Sequence, residues 1–320
     1  MTGPVHRAGD TPSLVPLDPR THTDAVWRLA RERDRAALGK EETTHAWITG
    51  RLTAPGLNAP SDGRLLYGPD GRPVGAVWLS SASGISGWTA ELVLGPDATA
   101  EDAGLLLDFA GRRCGELLAG GEGELSCFVS EGEKTARAAL HTRGFGSPHP
   151  YYRMAVTLDE ALPRLPVVPG AVVRPLDGEQ DLRTFHAVKN RAYAAEEAGK
   201  SEDGFDTWLE WWTTDPGVDP AQCALLEVDG TAVGFANITD RMRDSRDAAY
   251  VRQIGVAPQA RQRGLGSLLL LSVMHASRRR GRTAMVLTVD TANTPALALY
   301  HRLGWQVEAR FDDFRRTVTR

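Results

Sequence analysis

The chain has 320 residues, with 37 Lys and Arg against 41 Asp and Glu, a formal net charge of −4, 42% hydrophobic residues and 24% charged ones. That balance belongs to a globular protein and exerts no global pull on nucleic acid or an anionic membrane. Residues 1–13 lack the apolar core of a signal peptide and no run of 18 apolar residues occurs, so neither export nor membrane spanning is expected.

The length allows two domains. In the first half, short runs rich in Val, Leu and Ala predict strands over 64–67, 74–79, 90–94, 124–128 and 152–156, and helical spacing predicts helices over 23–38, 101–118 and 131–143. The segment 159–170 carries three prolines and reads as a linker. In the second half a helix begins near Asp181, and a second carries Phe205, Trp208, Trp211 and Trp212 on helical spacing. Those aromatics suit either core packing or the wall of an acceptor pocket. Asp240 to Asp247 carries equal numbers of Asp and Arg, so it is no nucleic-acid footprint.

The most informative stretch follows. An apolar strand through Ile254, Gly255 and Val256 meets a helix running from Ser267 to about Arg280 across Arg261-Gln262-Arg263-Gly264-Leu265-Gly266. Two glycines let backbone approach a ligand, and the helix start offers unpaired N–H groups to an anion. Leu269 stands where a dinucleotide fingerprint needs its third glycine, and no Lys-Ser or Lys-Thr follows, which removes both familiar nucleotide motifs. The bland alternative is a strand-to-helix turn shaped by glycine. Next come a buried strand over 284–289 and a short helix capped by Asn293, with Pro295 in its first turn, Tyr300 near its end and Gly304 as its stop. Arg278, Arg279, Arg280 and Arg282 suit the negative end of the preceding helix dipole, with a phosphate role as the rival reading.

Pro16-Leu17-Asp18 recurs as Pro175-Leu176-Asp177, and Asp70-Gly71 with Val74-Gly75 recurs as Asp229-Gly230 with Val233-Gly234, in one register. Gly144-Phe145 likewise parallels Gly304-Trp305. A duplication follows, with one domain over 1–160, a linker over 161–170 and a second domain over 171–320.

Strand, Arg-x-x-Gly-x-Gly loop, helix, strand, then Asn-x-x-Ala-x-x-Leu-Tyr-x-x-x-Gly-Trp resembles the GNAT superfamily of acetyl-CoA-dependent N-acetyltransferases, over about residues 170–320. The resemblance implies an α/β (α+β) fold of two GNAT-like domains in tandem, each a mixed, mostly antiparallel twisted sheet flanked by helices. It implies that Ile254, Gly255 and Val256 pair with the pantetheine arm of acetyl-CoA or another acyl-CoA. Arg261, Gln262, Arg263, Gly264, Leu265, Gly266 and Ser267 correspond to the pyrophosphate cradle, and Asn293 to a residue touching the cofactor. Tyr300 corresponds to the phenol that protonates the leaving thiolate, its rival reading being a core tyrosine. Where many relatives carry a strand carboxylate, Val251, Arg252 and Gln253 stand here, so no general base is assigned; Asp290, Glu196 or water are the candidates.

The first half has Asp97-Ala-Thr-Ala-Glu-Asp-Ala103 opposite the glycine loop, Leu140 at the place of Tyr300 and Glu133 at that of Asn293. It reads as a degenerate copy that supports the active one. The expected activity is transfer of an acyl group to a small-molecule amine, with a non-catalytic acyl-CoA-binding protein as the alternative. Cys114, Cys127 and Cys223 form no metal-type pair, and neither His141 nor His301 has a ligand cluster. No metal, nucleic-acid or membrane partner is expected, and a monomer or homodimer in a bacterial cytoplasm is the simplest setting.

Overall fold

The computed structural model describes residues 12–81, 87–118, 120–194, 204–214 and 217–320. The first half folds as β1 (Ser13–Pro16), α1 (Pro19–Leu38), α2 (His45–Leu52), α3 (Ala59–Asp62), β2 (Gly63–Tyr67), β3 (Pro73–Ser81), β4 (Gly87–Leu94), α4 (Ala100–Leu117), β5 (Glu122–Ser130), α5 (Lys134–Thr142) and β6 (His149–Thr157). The second half gives β7 (Ala171–Pro175), α6 (Gly178–Tyr193), α7 (Phe205–Thr214), β8 (Ala224–Val228), β9 (Thr231–Met242), α8 (Arg243–Arg246), β10 (Ala248–Val256), α9 (Leu265–Arg279), β11 (Ala284–Asp290), α10 (Thr294–Arg302) and β12 (Gln306–Thr319).

Two compact units result, and they do not divide at the proline-rich segment. One comprises Met1–Tyr151 with Ala309–Arg320, the other Tyr152–Glu308. In the first unit the strand order is β1-β2-β3-β4-β5-β12, and in the second β6-β11-β10-β9-β8-β7. The two repeats therefore exchange their closing strands. Phe311 to Thr319 of β12 pair antiparallel with Ser130 to Glu122 of β5, and Phe314 is fully buried in the first unit's core. A terminal strand carries the same alternating pattern whichever sheet receives it, so the domain limits expected at 160 and 171 had no sequence signal for the exchange.

Alternation explains how each sheet carries helices on both faces. In β3, Ala76 and Trp78 pack with α1 residues Val26 and Leu29, whereas Val77 and Leu79 pack with α4 residues Leu106 and Leu107. In β10, Ala249 and Val251 join the core under α9, and Ala248 and Tyr250 face the other way. The segment 159–170 packs within the second unit: Leu162 and Val168 lie against the α9 core, and His275 Nε2 meets the Pro163 carbonyl at 2.9 Å. Among the described residues no helix is long and apolar enough to cross a membrane, and no group of three His, Cys, Asp or Glu is placed to hold a metal.

Candidate active site

The site begins where two strands part. β10 and β11 are parallel but pair only from Ala248 with Ala284 to Val251 with Leu287, although β10 continues to Val256 and β11 to Asp290. The register of β10 with β9 also shifts between Val251 and Gln253, a bulge that increases local twist. Ile254, Gly255 and Val256 thus pair with β9 on one side and leave the edge toward β11 without a strand partner. The Ile254 carbonyl accepts a hydrogen bond from Tyr193 Oη at 3.3 Å. Gly255 fits closely: a Cβ there would lie 3.0 Å from Phe235 and 3.1 Å from Ala192, so those side chains would have to yield by a few tenths of an ångström to admit one.

At the end of β10 the chain turns into a loop with uncommitted amides. Arg261 donates from Nε to the Val256 carbonyl and from Nη2 to the Ala192 carbonyl, each at 2.9 Å, which ties the strand end to the last turn of α6. At least two of its donors are therefore spent on shaping the loop. Gln262 and Gly264 both have left-handed backbone, with φ of 64° and 76°. For Gln262 that conformation costs about 1–2 kcal/mol, while glycine adopts it freely. Helix α9 then starts with Gly264 as N-cap and no side-chain cap bond. Among the described residues no acceptor meets the amides of Arg263, Gly264, Leu265, Gly266 or Ser267. Together with the positive end of the helix dipole, they make a cradle of donors whose chemistry favours an anion. At Gly266 a Cβ would meet only Leu299 at 3.4 Å, an ordinary contact, so packing alone does not demand glycine there.

Tyr300 lies in the core under α9 with its ring 5.8 Å from that of Trp305. It is 7% exposed, and burial pushes its phenol up to about 12. Its hydroxyl makes no hydrogen bond among the described residues and carries its proton throughout the physiological range. Asn293 Oδ1 accepts from the Ala296 amide at 3.2 Å, fixing the start of α10. Asp290 Oδ1 accepts from the Ala292 amide at 2.7 Å, the turn-capping role that competed with a base. Glu196, the other carboxylate considered, lies outside the described residues. Sequence reasoning missed Tyr193 and Ala192, which belong to a helix with no recognisable motif and reach the site only through folding.

Two other expectations resolve toward structure. Trp208 and Trp212 are buried with Phe185, Leu225 and Phe235 between α6, α7 and the sheet, as core packing rather than a pocket wall. Of the four arginines at the end of α9, three have acidic partners: Arg278 with Glu160 at 3.7 Å, Arg280 with Asp219 at 3.2 Å, and Arg282 with Asp240 at 3.0 Å.

The first unit repeats the splayed strands without the cradle. β4 and β5 pair in parallel from Gly87 with Glu124 to Thr89 with Ser126, and β4 runs on to Leu94. A full capping box starts α4: Thr99 Oγ1 accepts from the Asp102 amide at 3.1 Å, and Asp102 Oδ2 accepts from the Thr99 amide at 2.9 Å. Protein groups thus satisfy the N-cap and third-position amides, whose counterparts in α9, those of Gly264 and Ser267, are free, and Glu101 and Asp102 oppose an incoming anion. Helix α1 also covers the strand ends. A Cβ on Gly95 would meet Leu29 at 2.8 Å, and one on Gly132 would meet the Ala37 backbone at 2.5 Å. Leu140 is fully buried, and Glu133 accepts from the Ser130 amide at 2.7 Å.

Comparison with known proteins agrees with this geometry. Residues 185–305 match the model of the acetyltransferase (GNAT) family. A mycothiol acetyltransferase of Thermomonospora curvata is 31% identical over 255 residues, which cover 78% of this chain and 80% of that one. Its counterpart in Clavibacter michiganensis is 29% identical over 98% of this chain and 94% of that one. Among solved structures, a GCN5-related N-acetyltransferase from Sphaerobacter thermophilus covers 98% of both chains with a TM-score of 0.80 at 20% identity. A tandem GNAT protein from the clavulanic acid biosynthesis pathway covers 96% of this chain and 98% of its own, with a TM-score of 0.68 at 15% identity. These likenesses extend over both halves, and the chain belongs to the GNAT family of acetyltransferases as a tandem of two GNAT-like folds.

Proposed function

We propose that the chain moves an acyl group, acetyl in the first instance, from acyl-CoA to the primary amine of a small molecule by direct transfer at one site in the second unit. The observation that carries the reading is the cradle of uncommitted amides from Arg263 to Ser267 at the end of a strand whose edge has no strand partner. The edge of Ile254 to Val256 has no strand partner, though its Ile254 and Val256 carbonyls accept from Tyr193 and Arg261, and it suits the amide-bearing pantetheine arm as the cradle suits the diphosphate. Arg261 and Gln262 set the path of the loop, and Asn293 fixes the start of the helix that carries Tyr300. The co-substrate supplies an activated thioester. Tyr300 holds a proton at Oη for the departing sulfur. From a phenol near 12 to a thiolate whose conjugate acid lies near 8.5, that transfer is uphill by roughly 5 kcal/mol. Hydrogen bonding to the sulfur as charge develops is thus the main contribution, with full transfer following only as burial raises the thiol's own basicity.

Mycothiol acetyltransferases are relatives over most of the chain, so the free-amine form of mycothiol is the first acceptor to test. Thiol release from acetyl-CoA is followed with that amine and a panel of other small amines. Release that requires a specific amine and yields its N-acetyl product supports the reading. Cofactor binding without amine-dependent release for any member of the panel counts against it.

A further inference from the structure

We propose that Arg302, at the end of α10, is a second anchor for the diphosphate of the co-substrate, acting beside the amides of the loop. The proposal rests on the acyl-CoA reading of the cradle. Arg302 Nη2 donates to Ser267 Oγ at 3.2 Å, which places a guanidinium over the first turn of α9, where Ser267 also offers an uncommitted amide. Its charge has no carboxylate partner among the described residues, whereas Arg246 and Arg282 each have one. Arg246 forks onto Glu308 at 2.6 and 2.7 Å, and Arg282 onto Asp240 at 3.0 Å through both Nε and Nη2. A guanidinium has five donors in a planar fork, so one bond to a hydroxyl leaves the rest for phosphate oxygens, with which it forms charge-assisted paired bonds. The first unit shows the contrast. Thr142 stands at the repeat position of Arg302, and the adjacent Arg143 is paired with Asp108 at 3.2 Å. Only the unit with the open cradle presents a cation of this kind there.

The test compares wild type, Arg302→Gln and Arg302→Lys by titration calorimetry with CoA and with dephospho-CoA, which lacks the 3′-phosphate but keeps the diphosphate. Arg302→Gln should weaken both ligands by a similar factor, on the order of tenfold to a hundredfold for a lost charge-assisted pair. Lysine should restore part of the loss. The gap between wild type and Arg302→Gln should narrow as salt rises, which a merely structural role would not produce. Equal affinity of wild type and Arg302→Gln, at an unchanged melting temperature, overturns the proposal. A loss seen with CoA but absent with dephospho-CoA also overturns it, because the arginine would then serve the 3′-phosphate. Failure of the wild type to bind either ligand would instead sink the acyl-CoA reading itself.

Discussion

Removing one oxygen from Tyr300 separates its two roles, because the ring stays packed beside Trp305 whether or not the hydroxyl is present. Tyr300→Phe should keep acyl-CoA affinity within about threefold and lower turnover by about 10²- to 10⁴-fold, the usual range for a general acid, when transfer limits the rate. Thiol release at saturating acceptor measures it, and full activity removes Tyr300 from the chemistry. The raised phenol also predicts a pH effect on stability. Below pH 10 the phenol is protonated folded or unfolded and contributes nothing. Between 10 and about 12 the unfolded chain gives up its proton first, so stability falls as pH rises, and Tyr300→Phe should lack that part of the fall. Denaturant midpoints at pH 9 and 11 for both proteins provide the check. At the matching place in the first unit, Leu140→Ala should cost about 2–5 kcal/mol through a cavity, with the chemical step unaltered. Tyr300 could be singled out from sequence because its motif is local. Tyr193 could not, since it meets Ile254 across 61 positions of chain.

Elements were legible wherever pattern and caps agreed, and the glycine loop was legible because strand, glycines and helix are contiguous. What the sequence could not supply was the direction of side chains within the loop: Arg261 reads as part of the cradle, yet its guanidinium turns back onto two carbonyls. Nor could it show whether a helix start is satisfied, a property of Asp102 and Thr99 in α4 that α9 lacks. The two loop glycines should respond differently to substitution. Gly264→Leu forces a left-handed residue and should cost about 1–2 kcal/mol as well as co-substrate affinity. Gly266→Leu has no such strain, so its melting temperature should fall less while acyl-CoA binding still weakens. Melting curves with calorimetry on both variants make the comparison, and unchanged affinity in both would place the cradle elsewhere.

At the scale of the whole chain, the duplication was readable from short matches in one register, whereas the exchange of closing strands was not. A fragment cut at the apparent repeat boundary, 171–320, lacks Tyr152 to Thr157 and retains a β12 whose Phe314 belongs to the other core. Residues 152–308 should give a more cooperative thermal transition than residues 171–320; the reverse order would contradict the exchange. The asymmetry of the two units bears on function most directly. One leaves the amides of its helix start free, and the other caps two of them and sets Glu101 and Asp102 beside them, so the full chain should bind acyl-CoA once. Titration calorimetry with acetyl-CoA should give a single site per chain, weakened by Gly266→Leu and left intact by Asp102→Ala in the first unit. Two equivalent sites, or binding lost with Asp102→Ala in a folded protein and kept with Gly266→Leu, would contradict the assignment of the active site to the second unit.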